Sequence, residues 1–176
     1  GILYLQESKG YSLVEAGSIL GLNTIAGIAG CAAYGFISDR FFAARRPPVT
    51  LIYGLVEILA MILIFFMPGH HPTLLTISFV LYGFSLSGIL AALGGLFAID
   101  IASKKASGAA MGFIGVFSYL GAAMQERLSG YLIQKGMTVI DGVRHYDFQG
   151  PILFWLSTSI ISMVLAASLW RVKASD

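Results

Sequence analysis

The sequence has little of what disulfide frameworks, zinc sites and nucleotide-driven enzymes require. Its single cysteine, Cys31, excludes an intrachain disulfide and a cysteine metal cluster, and is predicted to be a small packing residue. None of the three histidines, His70, His71 and His145, has a helix-spaced partner of the kind that a zinc site uses. The sequence also contains no Gly-rich phosphate loop of the ATPase type. We therefore expect no enzyme, no metal and no cofactor.

Charge is scarce as well. Charged residues make up 11% of the 176 residues, whereas hydrophobic residues make up 57% and the mean hydropathy is +0.82. This composition does not suit a soluble domain. The basic residues sit in short connections and form no continuous basic face, so nucleic-acid binding is not expected despite the net charge of +2. The expected surroundings of the chain are a lipid bilayer.

Long apolar runs account for this composition. Each run can cross a hydrocarbon core of ~30 Å at ~1.5 Å per residue. The predicted spans are residues 12–37, 49–67, 73–99, 106–133 and 148–170. The sequence therefore predicts an all-α, multi-pass membrane protein.

The basic residues are distributed unevenly between the two sides of these spans. One set of connections contains Arg40, Arg45, Arg46, Lys104, Lys105, Arg171 and Lys173. The opposite set contains only Lys9, Lys135 and Arg144, and Arg127 lies inside a span. Because cytoplasmic loops carry the excess of Lys and Arg, the loops at residues 38–48 and 100–105 and the C-terminus are predicted to be cytoplasmic.

The first residues are predicted to end one helix and begin another. Gly1 to Leu5 is typical of the last turns of a helix whose upstream part lies outside the sequence, which suggests a six-helix bundle that lacks most of its first helix. Ser12 and Glu15 have the spacing of a capping box for the first full span, and two ordinary interfacial polar residues would have the same spacing.

Small residues indicate which helix faces pack together. In the fourth span a narrow stripe of Gly108, Gly112 and Gly115 continues to Tyr119 and Glu126 at 100° per residue. The opposite side is expected to face lipid and consists of Phe113, Phe117, Leu120, Met124 and Leu128. In the first span Asn23 shares a face with Ala16, Gly27 and Gly30 and is predicted to point into the bundle.

The connection between the last two spans is predicted to be a β-hairpin. Asp141-Gly142 lies between two β-prone runs, residues 137–140 and 143–146, and Asp-Gly is a strong signal for a two-residue turn. We expect this hairpin on the non-cytoplasmic side.

Two motifs carry a family resemblance. The loop from Gly35 to Arg46 contains Gly, then Asp39-Arg40, then a basic cluster, and it resembles the cytoplasmic loop of the major facilitator superfamily. Here Gly35 would permit close helix approach, Asp39 would face the positive N-terminal end of a neighbouring helix, and the arginines would anchor the loop. An ordinary positive-inside loop could have the same composition.

The second motif narrows the resemblance. Residues 100–121, with Lys104-Lys105-Ala-x-Gly and Phe-x-Tyr-Leu-Gly121, are similar to the organophosphate:phosphate antiporters of that superfamily, including the sugar-phosphate carriers and a related hexose-phosphate sensor. The resemblance covers essentially the whole chain. It implies the C-terminal half of a twelve-helix fold, from the end of helix seven through helix twelve, with the N-terminal half absent.

The resemblance implies one of two functions. The first is secondary transport of an organic phosphate, with a sugar phosphate expected, in exchange for inorganic phosphate across a bacterial inner membrane. The second is a membrane sensor that binds a hexose phosphate without moving it. Nothing in this half of the protein separates the two.

The resemblance also implies candidate pathway residues. The two arginines that grip phosphate in the family come from helices one and seven and lie outside this sequence. Tyr119 matches a pocket tyrosine, and Arg127 matches a lysine that influences substrate charge preference, although the acidic partner one turn earlier is replaced by Ala123. Alternatively, Tyr119 is a bundle aromatic and Arg127 snorkels to the interface. Glu126, adjacent to Arg127 but ~100° away, is not expected to pair with it directly.

One acidic residue lies on a helix that the resemblance makes peripheral. Glu57 is in the second span, where an ionised residue is costly. We expect it to be buried in packing or solvated at the lipid interface, in preference to contacting substrate.

Overall fold

The computed structural model describes residues 1–43, 45–68, 70–102 and 105–168. Within these residues the chain forms seven α-helices, a π-helical segment and a two-stranded hairpin. The helices are α1 (Ile2–Lys9), α2 (Leu13–Phe41), α3 (Arg46–Phe66), α4 (Pro72–Ala91), α5 (Phe97–Ile101), α6 (Ser107–Lys135) and α7 (Gln149–Ser168). The basic residues Lys104, Arg171 and Lys173 of the charge argument lie outside the described residues.

Five helical stretches are long and apolar enough to cross a membrane, one for each predicted span. Their described ends differ from the predicted ends by up to four residues, and the largest differences arise where a helix continues past its apolar core. The predicted end of the last span, residue 170, lies outside the described residues. The span predicted to start at residue 49 starts at Arg46, since Pro47 and Pro48 occupy the first turn, where a missing N–H costs nothing. Similarly, α2 continues through Asp39 and Arg40 to Phe41.

The third span is not one regular α-helix. Between α4 and α5 the residues from Ala92 to Leu96 form a π-helical turn that contains Gly94 and Gly95. Glycine is a poor helix former, and a π turn accommodates one extra residue within an otherwise continuous helix. The hydrophobic pattern did not predict this feature.

Helices α2 and α4 pack through glycines, as the small-residue pattern predicted. A Cβ at Gly30 would lie against the backbone carbonyl group of Phe84, and a Cβ at Gly83 would lie against the backbone oxygen of Asn23. Ala16, Gly27 and Gly30 are all buried on this face of α2. The two backbones therefore approach closely, which is the expected role of glycine where lipid provides no hydrophobic driving force.

Helix α6 behaves differently from this prediction. Apart from the neighbouring residues and backbone of α6 itself, no described atom lies within 4 Å of where a Cβ would stand at Gly108, Gly112 or Gly115. Phe113 and Phe117, on the opposite side, are exposed as well. The expected close packing of the glycine stripe is thus not made within this chain, because α6 lies at the edge of the bundle and neither side is covered.

The hairpin prediction is confirmed. Strand β1 (Met137–Ile140) pairs antiparallel with β2 (Val143–Tyr146), and Ile140 lies opposite Val143. Asp141 and Gly142 have φ values of 51° and 78°, the left-handed conformation that a two-residue type I′ turn needs. The Asp147 N–H donates to the Gly136 carbonyl at 2.9 Å and closes the base of the hairpin.

The capping box is also confirmed. Ser12 is the N-cap of α2, its Oγ accepts from the Glu15 N–H at 3.3 Å, and the Glu15 carboxylate accepts from the Ser12 N–H at 2.9 Å. Before it, α1 ends at Gly10, which has φ 71°. This turn folds α1 back onto α2.

Buried apolar side chains form two clusters. The cluster near the hairpin includes Leu5, Ala16, Leu75 and Phe148. The second cluster, at the opposite end near Asp39, consists of Tyr34, Val49, Tyr53 and Ala92. These clusters hold α1 to α4 together.

Candidate functional site

The loop motif forms an ion pair at the end of the bundle. Arg46 Nη1 lies 2.7 Å from Asp39 Oδ1. Because Arg46 is the first residue of α3, Asp39 does lie at the N-terminal end of a neighbouring helix, as predicted, and it reaches that helix through the arginine side chain. Arg46 was expected to anchor a loop in water; it is only 8% exposed and belongs to the helix, which corrects that expectation.

A buried hydrogen-bond network lies behind this ion pair. The Tyr34 hydroxyl is 2.6 Å from Thr50 Oγ1 and donates to the Arg46 carbonyl at 3.1 Å. Ser38 Oγ donates to the Arg45 carbonyl at 3.4 Å. The turn between α2 and α3 is therefore held by side chains from both helices. The sequence analysis missed this network, because Tyr34 and Thr50 are 16 residues apart and neither belongs to a motif.

The remaining described motif residues lie at the surface or in open space. In the described part of the chain, no atom of another element lies within 4 Å of a Cβ placed at Gly35, so the close approach expected there does not occur within this chain. Arg40, Arg45 and Lys105 are exposed. Lys104 lies outside the described residues.

A cavity of about 500 Å³ lies between helices α1, α2, α3, α4, α6 and α7. Its walls are mostly apolar. The polar side chains that line it include Asn23, Tyr82, Gln125, Thr158 and Ser159. A mostly apolar pocket with a few convergent polar groups is the usual form of a small-molecule site. Inside a membrane-spanning helix such a polar group is costly unless it is hydrogen-bonded or reaches water.

Two of these polar groups are contributed by α2 and α6. Asn23 Oδ1 is buried and, among the described residues, has no hydrogen-bond partner. Gln125 Nε2 donates to Ser129 Oγ at 3.3 Å, and Trp155 Nε1 donates to the same oxygen at 2.7 Å. Ser129 thus joins α6 to α7 and orients Gln125 at the cavity wall.

The structure brings only one predicted pathway residue to this cavity, which is Asn23. Tyr119, Glu126 and Arg127 lie on exposed parts of α6, and Tyr119 is 80% exposed. In the part of the chain that the structure describes, no ion pair joins Glu126 to Arg127. The sequence analysis missed Tyr82, Gln125 and Ser159, although polar residues inside apolar spans were a usable signal.

Glu57 is linked to the cavity by Ser159, which lines the cavity and forms a hydrogen bond with the Glu57 carboxylate. Ser159 Oγ, from α7, donates to Glu57 Oε1 at 3.3 Å and also contacts Met61 Sδ at 3.5 Å. Glu57 itself is partly buried between α3 and α7. Of the two expected placements, burial in packing and solvation at the lipid interface, the contact with Ser159 favours the first.

Comparison with known proteins identifies the family. The Major Facilitator Superfamily model matches residues 1–125, which is more than half of the chain. The chain therefore belongs to the Major Facilitator Superfamily and, with five helices that can span a membrane, is a multi-pass membrane protein. No solved structure matches it significantly.

Curated relatives narrow the likeness to one branch. The chain is 31% identical over 169 residues to the glycerol-3-phosphate transporter of Bacillus subtilis (strain 168), covering 96% of this chain and 36% of that protein. It is 32% identical over 139 residues to the membrane sensor protein UhpC of Salmonella typhimurium, covering 79% and 30%. It is 29% identical over 180 residues to a probable hexose phosphate transport protein of Chlamydia pneumoniae, covering 99% and 36%. These relatives confirm the resemblance to organophosphate antiporters, and the chain spans about a third of their length.

Proposed function

We propose that this chain is the C-terminal half of a secondary transporter that exchanges an organic phosphate, with a sugar phosphate favoured, for inorganic phosphate. The observation that carries the proposal is the similarity of 96% of the chain to a glycerol-3-phosphate transporter. Transport would proceed by alternating access, in which two halves rock about a site near the membrane midplane. The driving force is the gradient of the exchanged phosphate.

In this proposal the exposed side of α6 faces the pathway and the N-terminal half. The uncovered stripe of Gly108, Gly112 and Gly115 leaves room for a closely packed partner helix. Tyr119 and Arg127 would then border the substrate. A guanidinium suits a phosphate dianion because it is always charged and presents paired donors. Asn23 and Glu126 complete the proposed polar lining.

Counterflow tests this function. The full-length protein is reconstituted in liposomes loaded with inorganic phosphate, and uptake of labelled hexose 6-phosphate or glycerol 3-phosphate is measured. We expect uptake that requires internal phosphate. Empty liposomes and liposomes loaded with sulfate are the controls. Uptake that is independent of internal phosphate would overturn the exchange mechanism.

The second candidate function is sensing, because a membrane sensor is among the similar proteins. A sensor would bind the labelled sugar phosphate in equilibrium dialysis and show no counterflow. Binding without uptake would therefore replace the transport proposal, and neither binding nor uptake would overturn both.

We further propose that the protein lies in a bacterial inner membrane with its Asp39 end in the cytoplasm, on the grounds of the basic-residue asymmetry. Single cysteines at Ala43 and His71, both exposed, test this in a Cys31→Ala background. An impermeant thiol reagent applied to intact cells should label His71→Cys and spare Ala43→Cys. Lysed cells, in which both should react, are the control. Labelling of Ala43→Cys in intact cells would reverse the topology.

A further inference from the structure

Glu57 lies in the middle of the membrane-spanning helix α3. It is the twelfth of the 21 residues of α3 and stands roughly 16 Å along the axis from Arg46, at ~1.5 Å per residue. At that depth the Glu57 carboxyl group cannot reach water at either membrane surface. An ionised carboxylate there costs on the order of 2.5–3.5 kcal/mol on insertion scales unless it is paired or hydrated.

The surroundings of Glu57 provide no such pairing. Among the described residues, no basic side chain lies within 4 Å of its carboxylate, and the ion pair found there is the distant one between Arg46 and Asp39. The hydrogen-bond partner of Glu57 is the Ser159 hydroxyl at 3.3 Å. From α4, Tyr82 lines the neighbouring cavity and carries an uncharged phenol. From α7, the facing group is the uncharged Ser159.

These contacts suit a carboxylic acid better than a carboxylate. A protonated carboxyl has one O–H donor and keeps acceptor capacity, so it can exchange a hydrogen bond with a hydroxyl in either direction. A carboxylate can only accept, and one neutral hydroxyl does not replace its hydration.

Ser159 also connects Glu57 to the cavity. Its side chain lines the cavity of about 500 Å³ together with the polar groups of Asn23, Tyr82 and Gln125. The walls are mostly apolar, but a cavity of that size with several polar groups converging on it can hold water. A hydroxyl can pass a proton between such water and a carboxyl, because it is both donor and acceptor. The same Ser159 hydroxyl therefore touches both the acid and the space through which a proton would arrive.

We propose that Glu57 and Ser159 form a membrane-buried proton-binding site, in which Glu57 holds a proton at neutral pH and exchanges it with the cavity through the Ser159 hydroxyl. On release, the Glu57 O–H bond breaks, the proton passes to water in the cavity, and the electron pair stays on the carboxylate. This proposal does not depend on which substrate the protein transports.

Infrared spectroscopy of the protein reconstituted in liposomes tests this at pH 7. An exposed glutamic acid is ionised at that pH, since its pKa is about 4.3. The wild type should show the C=O stretch of a protonated carboxyl, which Glu57→Gln should lose and Glu7→Gln, a change at an exposed position, should retain. The absence of a Glu57-dependent band would overturn the proposal.

Two further measurements test the same site. Transfer to D2O should shift the band, and Ser159→Ala should slow that shift; an unchanged rate would overturn the route through Ser159.

An apolar carbodiimide, which reacts with protonated carboxyls, should modify Glu57 of the wild type at pH 7, as detected by mass spectrometry of its peptides. This labelling needs no variant, so a failure of Glu57→Gln to fold leaves the test intact. If Glu57 stayed unmodified and the protonated-carboxyl band were also missing, Glu57 would be ionised and the proposed site would be refuted.

Discussion

The glycine contact between α2 and α4 gives the sharpest stability prediction. In Gly30→Ala, the new methyl group would lie against the carbonyl group and Cα of Phe84. These are backbone atoms of another helix, so no side-chain rotation can relieve the contact, and α4 must shift. Overpacking costs ~1–3 kcal/mol, and the upper end applies to a rigid obstacle. Alanine regains ~1 kcal/mol of helix propensity. We expect a net loss of about 2 kcal/mol in unfolding free energy.

The assay is thermal unfolding of the purified protein in detergent. A loss of about 2 kcal/mol should lower Tm by roughly 4–8 °C. Gly17→Ala is the matched control, because it is on the same helix and, in the described structure, no atom of another element lies within 4 Å of the added Cβ. That variant should be neutral or slightly stabilised. An unchanged or raised Tm for Gly30→Ala would refute the close approach of α2 and α4.

Three other substitutions have expected outcomes. Tyr34→Phe removes the hydroxyl that bonds Thr50 and the Arg46 carbonyl, and should lower the unfolding free energy by about 1–2 kcal/mol in the same thermal assay. Gly142→Ala strains a turn residue with φ 78°, so hydrogen exchange of the hairpin amides should speed up by the equivalent of about 1 kcal/mol or more. Arg127→Ala should weaken organophosphate exchange or alter the preference between mono- and dianionic substrates.

Each of these has its own control. Tyr131→Phe changes an exposed tyrosine and should leave Tm unchanged. If Tyr34→Phe and Tyr131→Phe lowered Tm equally, the hydrogen bonds of Tyr34 would not account for the loss. Gly130→Ala, in open space on α6, should leave hairpin exchange unaltered. If Arg127 instead snorkels to the interface, its replacement by Lys or Gln should change transport little. Normal transport and charge preference in a well-expressed Arg127→Ala protein would exclude Arg127 from the pathway.

The elements that sequence reasoning predicted are those with local signals. Apolar length located the five spans, and Asp141-Gly142 between β-prone runs located the hairpin, because a turn depends on the φ angles of two adjacent residues. Ser12 and Glu15 cap α2 through atoms three residues apart. The glycine face of α2 followed from helical periodicity alone.

Other features were decided only by the tertiary structure, because they depend on which helices are neighbours. Glu57 and Ser159 are 102 residues apart, and their contact exists because α3 packs on α7. The burial of Arg46 follows from the fold of α3 against α2, which no loop motif reveals. The sequence by itself determined the spans, the cap and the turn, since these depend on residues that are close in the chain. The cavity and its polar lining were decided by packing, since several helices contribute to one space.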